Sequence, residues 1–83
     1  MDVKNRLDFV KLCYDQYGNK PTSVGTENTE NPKKTFIVNG IFLGYHDKVL
    51  VLQKYDEVQL MLIPIEKVRF IKEDRYPPLH YRE

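Results

Sequence analysis

Cysteine is almost missing from this chain: Cys13 is the single thiol among 83 residues. No intrachain disulfide can form and a zinc cluster has too few thiols, so a reducing, cytoplasmic setting is expected. Nor is there any apolar run near the ~20 residues that a membrane helix requires. The N-terminus MDVKNRLDF lacks the apolar core of a signal peptide, so no membrane association is expected. Charge of one sign is not in excess: 13 basic and 12 acidic residues leave a net charge of +1. That balance excludes a polybasic binder acting through its whole field, and any nucleic-acid site must be a local patch or copies of one. No GxGxxG, P-loop or paired-carboxylate signature occurs. With two histidines, His46 and His80, and no further ligand at metal spacing, no metal site and no cofactor are expected. Cys13 reads as an inert, partly buried thiol. The chain reads as no enzyme.

What is present begins with a helix. Val3, Leu7, Val10, Tyr14 and Tyr17 recur at alternating spacings of four and three, which places them on one stripe of a helix over about 3–17. Asp2 is the expected N-cap and Gly18 the expected left-handed C-cap, with Pro21 soon after. Residues 19–34 (NKPTSVGTENTENPKK) are polar, with little to bury, and read as a mobile loop. Its Asn28-Thr29-Glu30 and Asn31-Pro32-Lys33 triplets are not glycan acceptors.

The aliphatic residues concentrate in 35–72. Phe36-Ile37-Val38 runs into Asn39-Gly40, a two-residue hairpin signal. Ile41–Leu43, Val49–Leu52, Val58–Ile63 and Val68–Ile71 supply further strands, and Pro64 either ends one or sits on an edge. The expected fold is mainly β: an N-terminal α-helix on a strongly bent five-stranded antiparallel sheet, in one domain spanning 1–83. Val49-Leu50-Val51-Leu52 and Leu60-Met61-Leu62-Ile63 are apolar at every position, so both faces are expected to be covered, part of the second by another subunit. Residues 73–83 form a charged, proline-broken tail. Either its Tyr76, Leu79 and Tyr81 dock on a neighbouring subunit or the terminus frays.

The residues with binding chemistry cluster in the turn Tyr45-His46-Asp47-Lys48. An aromatic ring, an imidazole and an ammonium at a strand end can stack a base and neutralise a phosphate. Lys67 and Arg69 would add charge if the fifth strand returns beside that turn. The plainer reading is a solvated hairpin tip.

The stretch 36–71 resembles the Sm/LSm family, in particular its bacterial Hfq-like members. Phe36-Ile37-Val38-Asn39-Gly40-Ile41 is similar to the motif opening the Hfq sheet, and Tyr45 to Leu52 to the aromatic-Asp turn and aliphatic strand that follow. The resemblance implies a helix on a five-stranded bent sheet, rings of five to eight subunits joined by edge strands, and RNA binding at the turn. It departs in the shortened Gly44–Asp47 interval and in the missing Lys-His and Arg-Gly motifs. Pro64 and Ile65 stand near where the Lys-His pair would fall. The polar loop after the helix also differs, as it does in divergent Sm-like proteins, some of them phage-encoded. The leading expectation is a homo-oligomeric ring binding RNA or single-stranded nucleic acid at Tyr45, His46, Asp47, Lys48, Lys67 and Arg69. The rivals are an SH3-like small barrel for protein interaction and a purely structural component.

Overall fold

A computed structural model describes residues 3–81; the N-cap assigned to Asp2 lies outside them. Helix α1 (Val3–Tyr17) follows the expected stripe: Val10 and Cys13 are buried, and Leu7, Tyr14 and Tyr17 pack against the core. At its end the Gly18 amide donates to the Tyr14 carbonyl at 2.8 Å, and the left-handed residue is Asn19 (φ 61°), one position beyond the expected cap. Asparagine tolerates that conformation. Among the described residues no helix is long and apolar enough to cross a membrane.

The sheet contains β1 (Pro21–Glu27), β2 (Thr35–His46), β3 (Val49–Lys54), β4 (Leu60–Pro64) and β5 (Val68–Glu73), all antiparallel, in the order β4-β3-β2-β1-β5. Two 3-10 turns, Ile65–Lys67 and Leu79–Tyr81, complete the described elements. The mainly β fold of a helix on a five-stranded antiparallel sheet is as expected, but two boundaries differ.

The first correction concerns residues 19–34. They are not one mobile loop, because 21–27 form β1, a strand paired on both sides. Two of its polar residues, Thr22 and Ser23, are buried with their hydrogen bonds made. Thr22 Oγ1 donates to the Lys20 carbonyl at 2.8 Å, and Ser23 Oγ donates to Asn39 Oδ1 at 2.5 Å. Burial of a hydroxyl is costly only when it is unpaired, so a Thr-Ser-Val-Gly strand can occupy the middle of a sheet.

The second correction concerns Asn39-Gly40, which makes no hairpin. Both residues lie inside β2, whose first half pairs with β1 and second half with β3. Gly40 is paired on both sides, with Thr22 and with Lys54. A Cβ there would run into the Gln53 carbonyl oxygen, so glycine serves close strand approach rather than a turn.

Two register shifts bend the sheet. Leu43 is the extra residue of β2 opposite β3, and Arg69 is the extra residue of β5 opposite β1. The inner face carries Val24, Val38, Phe42, Leu50, Leu52 and Ile63, over which α1 lays Val10 and Cys13. On the outer face Val49 and Val51 are half-buried, while Leu60 and Leu62 are 53% and 61% exposed. Those apolar strands are thus covered on one face within a single chain.

Candidate nucleic-acid interface

The final pair of the β2–β3 ladder is His46 with Val49, so Asp47 and Lys48 alone make the connection. Asp47 takes φ 55°, a conformation aspartate adopts at modest cost. His46, Asp47 and Lys48 are exposed at this tip. Tyr45 is placed differently. It sits one residue back on the core-facing side, opposite Leu50, and meets Tyr14 edge-on with centroids 5.7 Å apart. Tyr14 in turn meets Phe42 edge-on at 5.3 Å. Tyr45 is therefore half-buried as the rim of the core, and its ring face is not freely offered to a base.

The turn bearing Lys67 is tied to this tip. Pro64 pairs with Val49, and the next amide, that of Ile65, donates to the Lys48 carbonyl at 2.9 Å. The 3-10 turn then carries Lys67 two residues further on. Neither lysine is in an ion pair among the described residues. Beside Lys67, the residues Phe36, Met61, Leu62 and Pro64 border an apolar pocket of about 190 Å³.

Arg69 does not join this group, contrary to expectation, because β5 pairs with β1 on the far side of the sheet order. As the bulged residue, Arg69 is turned toward the 28–34 connection. It donates to the Pro32 carbonyl at 2.6 Å, to Thr35 Oγ1 at 3.1 Å and to the Lys34 carbonyl at 3.5 Å. Its guanidinium secures a loop. The structure keeps His46, Asp47 and Lys48 together at the tip, sets Tyr45 behind them, puts Lys67 on the apolar pocket with Thr26 and Phe36, and ties Arg69 to the 28–34 connection.

Sequence reasoning missed a second cluster altogether. Tyr55 and Asp56, in the β3–β4 turn, meet Asp74, His80 and Tyr81 of the tail. Burial, and then the Asp74 carboxylate to which it donates, push the Tyr55 phenol well above its ordinary value. A proline pair following a charged strand end is the signal that this segment has a fixed course. Cys13 is buried on α1, and burial pushes its thiol up, which suits an unreactive side chain. No group of three or more His, Cys, Asp or Glu side chains converges among the described residues. Compared with known proteins, the chain matches no family model, no curated protein and no solved structure.

Proposed function

We propose that this chain is a subunit of a homo-oligomeric, Sm-like ring that binds single-stranded nucleic acid, RNA above all. The observation that supports the reading is the Ile65–Lys48 backbone bond, which ties the turn bearing Lys67 to the exposed His46-Asp47-Lys48 tip. Two ammonium groups with no carboxylate partner among the described residues, and one imidazole, suit a phosphate backbone. The outer strands support the ring. β4 and β5 each have one unpaired edge, and β4 exposes Leu60 and Leu62 on alternate positions. Pairing of β4 from one subunit with β5 of the next would satisfy both edges and cover those leucines. Repetition of a weak site around the ring then multiplies affinity without a basic monomer.

Light scattering should return a mass several times the 9.9 kDa of one chain. Fluorescence anisotropy with short oligo-U and oligo-A at two salt concentrations tests the site. Lys48→Ala with Lys67→Ala should weaken binding by about tenfold or more and reduce the salt slope by roughly one per lost phosphate contact. Unaltered binding, or none by the wild type, refutes the site. The second reading, a small barrel for protein interaction, is favoured by one feature: Phe36, 56% exposed, at the mouth of the apolar pocket beside Pro64. A monomer that binds neither oligonucleotide puts that reading first.

A further inference from the structure

Beyond β5 the chain leaves the sheet and doubles back on the β3–β4 turn. At the root, the Asp74 amide donates to the Pro21 carbonyl at 3.1 Å, and Tyr55 Oη donates to Asp74 Oδ2 at 2.6 Å. At the tip, His80 Nε2 lies 2.7 Å from Asp56 Oδ1, and the Asp56 amide donates to Tyr81 Oη at 3.3 Å. The Tyr81 ring packs on Tyr55 with centroids 4.9 Å apart, and His80 on Tyr81 at 4.4 Å. Between root and tip, Tyr76 and Leu79 are 84% and 78% exposed, and Pro77 is the one buried residue. Beneath this span lies a cavity of about 490 Å³, bordered by Gln16, Tyr17 and Lys20 on the helix side and by Glu73, Arg75 and Tyr81 on the tail side.

We infer that residues 74–81 are a releasable strap over this cavity, with the Tyr55-Asp56 turn as its catch. The core cluster extends from Val10 to Ile71 and takes no side chain from the strap. Within the strap only Pro77 is buried, so release loses that contact and opens the outer side of Tyr17 but leaves the inner face of the sheet covered. The polar pair of the catch is open to water, His80 at 59% and Asp56 at 63%, beside the half-buried rings of Tyr55 and Tyr81. Contacts of that kind are individually weak, and segments held by them open at the low end of a protein's stability range. Internal order in the strap is slight, with Tyr81 N donating to the Pro78 carbonyl and Tyr76 N to Asp74 Oδ1. Pro77-Pro78 keeps it extended, so it swings as one short stiff piece about Arg75. Opening widens access to the half-buried Tyr17, between the already exposed Lys20 and Glu73, while β1 and β5 stay paired.

Native-state amide exchange on the full chain reads this directly. In His80→Ala combined with Tyr81→Phe, protection of the Asp56 and Tyr81 amides should fall by about fivefold or more, while the Leu50 and Leu52 amides keep wild-type protection. Tyr81→Phe alone keeps the ring and removes the acceptor, so it should raise exchange at Asp56 more than at Tyr81. Unchanged protection at both amides overturns the proposal. Loss spread equally to Leu50 and Leu52 also overturns it, because the tail would then be part of the cooperative fold.

Discussion

Gly40→Ala should be among the most damaging small substitutions in this chain. The position is paired on both sides, and an added methyl would run into the Gln53 carbonyl oxygen, with the Gln53 carbonyl carbon at 2.9 Å and Lys54 Cα at 3.1 Å. All three obstacles are backbone, so no rotamer change relieves them; β3 must move away from β2. Overpacking costs about 1–3 kcal/mol where side chains can yield, and the upper end applies here. A domain of this size has roughly 4–12 kcal/mol in total, so the variant should lose a large fraction of its stability. At 4–8 °C per kcal/mol, Tm should fall by more than about 10 °C. Gly25→Ala is the contrast. Its methyl would first meet the Phe70 ring, a half-buried side chain rather than backbone, so about 1 kcal/mol is expected, and Phe70→Leu should recover part of it. Asn39→Thr separates strand from turn. An extended strand accepts a β-branched residue that keeps a hydroxyl for Ser23, whereas a left-handed turn rejects it. Urea unfolding followed by circular dichroism measures all three. A Gly40→Ala loss below about 0.5 kcal/mol would refute the close-approach argument.

Other outcomes follow from the same contacts. Tyr55 keeps its proton in the folded state above the ordinary tyrosine value of ~10, so an unfolded chain releases a proton that the native one retains. Stability should thus be flat below about pH 10 and decline as pH rises above it. Tyr55→Phe should lose that part of the decline in urea midpoints taken between pH 8 and 11. Arg69→Ala should cost about 1 kcal/mol and speed exchange of the Lys34 amide, and Arg69→Lys should not restore it, since one ammonium cannot span three acceptors. Alkylation of Cys13 by iodoacetamide at pH 8 should be at least about tenfold slower in the native protein than in urea; equal rates would show that its burial is wrong.

The helix and three of the strands were legible because their apolar spacing is local. Leu7, Val10, Tyr14 and Tyr17 declare a stripe, and Leu50 and Leu52 declare a core face. β1 was not legible, because Thr22 and Ser23 are polar by composition and lose that character only once Lys20 and Asn39 accept from them. Asn39-Gly40 misled for a related reason. The dipeptide favours a turn in isolation, yet the approach of β3 outweighs it. Of the candidate site, the exposed tip could be read from one turn, and Lys67 from its following Pro64. Arg69 could not, since its direction depends on a bulge set by the β1–β5 register. The contacts of Tyr55 and Asp56 with Asp74, His80 and Tyr81 span 19 to 25 positions and leave no local pattern.

The sheet order has a consequence for the sequence of events during synthesis. β2 and β3 are neighbours in the chain, joined by two residues, and can zip as soon as both have emerged. β1 pairs with β2 early as well, but its other edge waits for β5, some 45 positions later in the register that joins Gly25 to Phe70. Until then Gly25 has no ring above it, and the β1 edge presents free amides and carbonyls to any strand nearby. The nascent chain therefore passes through an interval in which its most polar strand is its most adhesive one. The Thr-Ser-Gly content that hid β1 from sequence patterning also keeps that edge poor in apolar surface while it waits.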